Sequence, residues 1–348
     1  MASPARPDAR TAWGFLHLAP TPGAHRVGVR AGISVLVPLL GVLVVERPEW
    51  ALYATFGAFT SLYGRNHVHL SRAVMQLSAG AALTASVAVG VLVGSLEQRA
   101  WAAVAVGAVV AALGSVLASV QDWHPPGPLF LVFGFGAVAS VPHEVGDVVA
   151  AAGVAAASAA FSVVVGNVGA VLRGQRSPHR RRARGRLGPA WTVQPLRQAA
   201  AVVAAGGIAT ALGIGHPYWA MVAASAPLTV RGVGHQLVRA AHRVVGTLLG
   251  LVSSAALLAL HLDPVPTVLV VVVLQVVTEM VVGRNYGVAM VTITPMALLM
   301  GQLAAPRPAG ELLLDRGVET VVGAAVAVLV VLAGLRLRGR RPRAVDAE

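Results

Sequence analysis

Glu279 is a carboxylate inside an apolar run. Residues 264–282 read Pro-Val-Pro-Thr-Val-Leu-Val-Val-Val-Val-Leu-Gln-Val-Val-Thr-Glu-Met-Val-Val, and Glu279 is the one acid among them. Such a group faces the inside of a bundle, where it takes up a proton or pairs with a cation. It lies near the end of its run, where a helix dipole disfavours negative charge, so it is no cap. It is the proton-coupling candidate. The alternative is a structural ion pair with Arg284 or Arg243. Arg231, Arg239 and Arg243 edge the two preceding apolar runs, and Arg72 holds the matching place in the first half. A guanidinium grips a carboxylate with two parallel hydrogen bonds, so these four are substrate-anion candidates. Setting topology and touching lipid phosphates is the plainer reading. Thr292, Thr294 and Asn285 are cavity-lining candidates, because polar groups in a short apolar run bond across helices or to a ligand. Asp147 and Glu319 open two apolar runs. They are gating candidates, although acids at helix starts commonly serve the dipole, and Glu319 stands three residues from Arg316.

The elements that position these groups follow from composition. Of 348 residues, 56% are apolar and 12% charged, against about 45–50% and about 25% in soluble domains. A chain this poor in charge cannot cover a soluble surface of its size. Its charges cluster between apolar stretches of about 20 residues, the length needed to cross a bilayer as a helix. Runs such as 268–273 do not alternate, which argues against a membrane β-barrel. There is no cysteine, which removes disulfides and thiolate chemistry. All 27 basic residues are arginine, which removes the Walker A lysine and any Schiff base. No His-Glu-x-x-His or Gly-x-Ser-x-Gly is present. The expectation is a protein that is not an enzyme, with no catalytic residues, metal or cofactor.

Twelve spans are expected, at 27–45, 50–64, 73–94, 100–120, 128–141, 148–172, 196–213, 217–230, 240–260, 265–282, 287–303 and 317–335. The fold class is an all-α membrane protein of two parallel six-helix repeats, 27–172 and 196–335. Residues 1–26 read as a cytoplasmic tail without signal-peptide features, 173–195 as a basic cytoplasmic linker and 336–348 as a basic cytoplasmic tail. With the N-terminus inside, only Arg47, Arg99, Arg307 and Arg316 of the 27 arginines fall outside, as the positive-inside rule requires. The location expected is the cytoplasmic (inner) membrane, with both termini cytoplasmic. The run 173–186 lacks interleaved aromatics, so membrane lipids rather than nucleic acid are its expected neighbours.

The repeat is carried by short echoes. Pro48-Glu49-Trp50-Ala51 opens the second span and Pro217-Tyr218-Trp219-Ala220 the eighth; Ser71-Arg72-Ala73 precedes the third and Val238-Arg239-Ala240 the ninth. The second and fifth spans of each half are short and hold Gly57, Gly134, Gly136, Pro227 and Pro295. Short, interrupted segments at matching places in two repeats point to a central binding site. Trp50, Tyr53, Tyr218 and Trp219 at the outer span ends read first as an aromatic belt. The pairs Gly28/Gly32, Gly90/Gly94 and Gly246/Gly250 have the spacing for close helix contact, within one chain or across a homodimer.

Three stretches of the second half carry a family resemblance. They are Arg239-Ala-Ala-His-Arg243-Val-Val-Gly246-Thr247-Leu-Leu-Gly250, Glu279-Met-Val-Val-Gly-Arg284-Asn285-Tyr286-Gly-Val-Ala-Met-Val-Thr292-Ile-Thr294-Pro295, and Arg316-Gly-Val-Glu319-Thr320-Val-Val-Gly323. Together they resemble the fusaric acid resistance, or aromatic acid exporter, family of bacterial inner-membrane transporters, over roughly 195–335. The resemblance implies proton-driven efflux of small organic acids, often aromatic, so the expected partner is a small organic anion. Many members hold a large soluble domain between two membrane halves; here a basic linker stands in that place. Two rival readings are a non-transporting membrane scaffold, with a dry and filled interface between halves, and a passive channel with a continuous polar path.

Overall fold

The computed structural model describes residues 23–64, 69–172 and 190–339. The arginine run of the linker at 173–186, residues 1–22 of the N-terminal tail and the C-terminal tail beyond 339 lie outside the described residues. Within them the chain is all helical and holds no strand. The twelve α-helices are α1 (Ala24–Val44), α2 (Ala51–Ala58), α3 (His69–Gly94), α4 (Arg99–Val120), α5 (Leu129–Ala139), α6 (Asp147–Leu172), α7 (Ala190–Ala211), α8 (Pro217–Leu228), α9 (Val233–Ala259), α10 (Pro264–Val281), α11 (Tyr286–Ala304) and α12 (Ala309–Gly339). Short 3-10 turns at Pro48–Trp50 and Phe59–Leu62 flank α2.

Eight of these helices are long and apolar enough to cross a membrane: α1, α3, α4, α6, α9, α10, α11 and α12. Their outward faces carry exposed apolar side chains such as Leu113, Val149 and Val252, a pattern that lipid tolerates and water does not. The 22-residue α7 is not among the eight, and three helices are short. At 1.5 Å per residue, α2, α5 and α8 run only about 12–18 Å, well under the roughly 30 Å hydrocarbon core. All eight residues of α2 are buried, as are eleven of the twelve in α8. Backbone ends at membrane depth survive only when enclosed by protein, so these helices are interior pieces. Both start on the Pro-x-Trp-Ala echo, and Pro217 occupies the first turn of α8, where its missing N–H has no partner to lose.

Packing is local and crossed. In the first half α1 packs on α2 and α6, α3 on α5 and α6, and α4 on α5; in the second α7 packs on α8 and α12, α9 on α11 and α12, and α10 on α11. Across the halves α1 packs on α10 and α4 on α7, while α2 meets α11 and α5 meets α8. The small-residue pairs serve contacts within the chain. Gly28 and Gly32 face Val276 of α10, Gly90 faces Val138, and Gly246 and Gly250 face Met290 and Thr294 of α11. Every one of these contacts lies inside the single chain.

The bundle has two ends. At one, the amide of His143 donates to the Gly94 carbonyl, and Gly215 lies against Asp315 and Arg307; we call this the Arg307 end. At the other, the Gly64 amide donates to the His124 carbonyl and the Gln194 amide to the Leu228 carbonyl at 2.6 Å; this is the Gly64 end.

Candidate functional site

Where α2, α5, α8 and α11 converge near the Arg307 end, they leave a narrow crevice. Phe56, Phe59, Phe133, Tyr218 and Trp219 form its aromatic wall, Met296 and Met300 its thioether wall, and Arg307 and His216 its rim. Its volume of about 40 Å³ holds two or three waters, too little for an organic acid as it stands. The aromatic wall belongs to a longer ladder. Trp123 meets Tyr63 at 5.4 Å between centroids, Tyr63 meets Phe130 at 6.1 Å, Phe130 meets Phe59 at 5.5 Å, Phe59 meets Phe56 at 5.5 Å, Phe56 meets Phe133 at 5.0 Å, and Phe133 meets Trp219 at 5.1 Å. These edge-on and tilted contacts join the two ends of the bundle along the seam between its halves. Such pairs contribute about 0.5–1.5 kcal/mol each beyond their area.

Behind the aromatic wall stands Arg316. It lies about two turns into α12, is 1% exposed, and sets its guanidinium carbon 3.8 Å over the Trp219 ring. Its Nε and Nη1 have no acceptor among the described residues, and neither does Trp219 Nε1. Glu319, fully buried, accepts the His216 amide on Oε1 at 2.8 Å and leaves Oε2 unpartnered. It therefore caps the start of α8 rather than its own helix. No ion pair within 4 Å joins Arg316 to Glu319 among the described residues. Arg243 is buried as well, donates Nη1 to the Tyr286 hydroxyl at 2.9 Å, and lies within electrostatic range of Arg316. Arg239 covers the other side of that link, 3.9 Å over the Tyr286 ring.

Two histidines close the Arg307 end. His216 Nδ1 lies 3.2 Å from the Asp315 carboxylate. Burial pushes this imidazole below its usual range; Arg307 adds to the effect, and the hydrogen bond to Asp315 opposes it. His143 Nε2 lies 3.0 Å from the Val138 carbonyl, so it carries the proton, and Nδ1 accepts from the Tyr53 hydroxyl at 3.1 Å. Burial lowers this imidazole too, against the pull of Asp147, whose carboxylate lies 4.0 Å from Nδ1; burial favours the neutral form.

The sequence candidates fall into three groups. Arg239, Arg243 and Glu319 come together in the buried charged zone with Arg316. Glu279 is buried on α10, with the Gln275 amide 3.4 Å from Oε1; Arg243 is not its ion-pair partner, since that guanidinium turns to Tyr286. The others hold structure. Arg72 ties the Gly64 and Gly166 carbonyls together at 3.2 and 2.8 Å. Asn285 caps α11 through the amides of Gly287 and Val288. Thr292 bonds Thr278 across helices at 2.7 Å, and Thr294 returns its hydroxyl to the Met290 carbonyl. Asp147 accepts the Glu144 amide at the start of α6. Arg231 is exposed.

Three sequence expectations are corrected. Tyr53, Tyr218 and Trp219 are interior, 3%, 8% and 2% exposed, and form no belt; the helices they open are enclosed by the bundle. Arg316 is not a loop residue, because α12 starts at Ala309 and carries it inward. Glu319 is no helix-start acid for the same reason. Sequence reasoning missed Arg316 as a site residue, although a signal existed: it was among the few arginines on the sparse side of the charge asymmetry. It also missed Tyr286 and Phe133. All fully buried charged side chains among the described residues, namely Arg243, Glu279, Arg316 and Glu319, belong to the second half. The buried polar side chains of the first half, such as Gln76, Ser162 and Asn167, are neutral.

This charged stretch coincides with what the chain is similar to. Residues 203–330 match the family described as fusaric acid resistance protein-like. Arg239, Arg243, Glu279, Tyr286, Arg316 and Glu319 all lie inside that segment, as the resemblance at 195–335 anticipated. A Bacillus subtilis (strain 168) protein described as the uncharacterized membrane protein YvaC is 28% identical over 138 residues. That stretch is 39% of this chain and spans about a fifth, 22%, of the relative's own length. No solved structure matches. The chain is thus a multi-pass membrane protein with a fusaric acid resistance-like second half, and the charged interior is the property of that half.

Proposed function

We propose that this protein is a secondary transporter that exports small organic acids, aromatic ones among them, across the cytoplasmic membrane, with proton uptake driving the cycle. The observation that carries the reading is Arg316: a fully buried guanidinium, stacked on Trp219 beside an aromatic crevice, with two N–H groups lacking an acceptor. An unpaired buried charge costs several kcal/mol, and a carboxylate arriving from outside the chain would accept from this guanidinium and neutralise it. The flat body of such an acid matches the aromatic wall.

In this reading the two halves, 27–172 and 196–335, move against each other around the crevice. Support comes from the matched packing: α1 on α10 answers α4 on α7, and α2 on α11 answers α5 on α8, the relation expected of two like-oriented repeats. The arginine asymmetry supports cytoplasmic termini, which makes the Arg307 end extracytoplasmic. Glu319 is the favoured proton carrier, because it borders Arg316 and reaches the crevice rim through His216. Glu279 is the second carboxylate to test. Arg239 and Arg243 would draw the anion from the cytoplasmic side. Arg72 and Arg231 contribute charge at that face, and Asp147 sits at the opposite end of the first half.

The small crevice favours one other reading, the membrane scaffold, for which a filled seam is the working state. Flux of labelled benzoate from proteoliposomes, with and without an imposed pH gradient, separates the two. Gradient-driven movement that Glu319→Gln removes supports the carrier. No movement in folded protein supports the scaffold, and loss of coupling only in Glu279→Gln transfers the proton role to Glu279.

A further inference from the structure

A second cavity lies beside the crevice, between α4, α5, α7 and α8 at the Arg307 end. Its volume is about 250 Å³, near the lower bound of small-molecule sites at about 300 Å³. Arg99 of α4 and Arg307 of the α11–α12 connection line it with the Tyr218 ring. Ala103, Ala139 and Met221 supply an apolar floor. Neither guanidinium forms an ion pair within 4 Å with a described residue. Thr210 also lines the cavity, and its buried hydroxyl has no partner. Asp315 comes to the same Gly215 as Arg307 but pairs with His216. His143 lies within electrostatic range of Arg99.

We infer that this pocket is a second carboxylate site, distinct from the one at Arg316. Two unpaired guanidiniums and an orphaned hydroxyl call for an oxyanion, and the apolar floor calls for an organic body rather than a hydrated inorganic ion. Arg99 and Arg307, with Arg47 and Arg316, are the exceptions to the arginine asymmetry expected from the sequence, so the charge rule does not explain them. The pocket shares Tyr218 and Arg307 with the crevice, so an acid leaving Arg316 has a place to land one step further out. That role on the exit path rests on the transport reading; the binding itself does not.

The test is stoichiometry. Benzoate binding to the full-length protein in lipid nanodiscs is followed by titration calorimetry for wild type, Arg99→Gln, Ala103→Leu and Arg316→Met. Arg99 and Ala103 line this pocket and not the crevice. Ala103→Leu fills the floor without touching a charge, and Arg99→Gln keeps the test alive if that packing change prevents folding. Two benzoates per wild-type chain are expected. Arg99→Gln or Ala103→Leu should weaken one site at least tenfold and leave the other, and Arg316→Met should do the reverse. A single wild-type site lost only with Arg316 overturns the inference and leaves the transport reading standing. A single site lost only with Ala103→Leu or Arg99→Gln does the opposite. No binding at all overturns both. Chloride that displaces benzoate at equal concentration from this pocket overturns its assignment to organic acids.

Discussion

Replacing Arg316 by methionine separates ligand binding from stability. The guanidinium has two donors without acceptors, Nε and Nη1. Nε–H and Nη1–H diverge, so one carboxylate accepts from one of them, and a hydrogen bond to a charged group contributes about 1.5–3 kcal/mol. At 1.4 kcal/mol per decade, Arg316→Met should raise the Kd for benzoate about 10–10²-fold. In the empty protein two effects oppose each other. The stack on Trp219 at 3.8 Å is worth about 2 kcal/mol when desolvated, and its loss destabilises. Removing an unpaired buried charge in favour of an apolar side chain of similar volume is neutral or stabilises by about 1–4 kcal/mol. The expected outcome is an unchanged or raised Tm without ligand and loss of the benzoate-induced shift. Thermal melts with and without benzoate, with calorimetric affinities, read both quantities. Affinity within threefold of wild type would refute the reasoning. So would a Tm several degrees lower in the empty protein, which would make Arg316 a structural pin.

Other expectations follow from single contacts. Gly323→Ala places a methyl against the Ala220 carbonyl and 2.6 Å from the Ala223 side chain; overpacking of this kind costs about 1–3 kcal/mol, so the melting temperature should fall. Gly153→Ala, with nothing within 4 Å, should not lower it. His216 is held neutral by burial, so the folded protein binds fewer protons than the unfolded chain, and stability falls as pH drops below the usual imidazole value of about 6.5. His216→Gln should flatten the Tm profile between about pH 7 and pH 5, with the remaining slope of the same sign owed in part to His143; a profile parallel to wild type would remove His216 from the account. Asn285→Ala removes the cap on Gly287 and Val288 and should cost about 1 kcal/mol, seen as a lower Tm with benzoate affinity unchanged.

The sequence was a good guide where a local rule applied. Apolar runs bounded by arginine, proline or glycine marked all twelve helices, because in lipid each helix closes its own backbone hydrogen bonds whatever its neighbours do. The short second, fifth and eighth spans were legible for the same reason, as too little apolar length between turn residues; the eleventh, expected to be short as well, is instead the 19-residue α11, long enough to cross a membrane. The site was legible in part. Arg239, Arg243 and Glu319 carried the resemblance and ended in the charged interior. Thr292, Thr294 and Asn285 looked like cavity residues, but their polar atoms are taken up by helix carbonyls, a neighbouring hydroxyl and a helix start.

Arg316 marks the boundary between the two kinds of knowledge. Hydropathy starts the last span at 317, since an arginine interrupts the apolar average, and so leaves Arg316 in a loop. In the fold, α12 begins at Ala309, and Leu312, 5% exposed, is packed into the core ahead of it. The side chain then meets Trp219, almost a hundred residues earlier. Sequence alone determined that this is a membrane bundle, that twelve helices build its described residues, and that the second, fifth and eighth of them are short. Only the tertiary structure decided which charges are enclosed, because the burial of a guanidinium depends on partners that distant segments bring to it, and no local pattern of residues encodes their arrival.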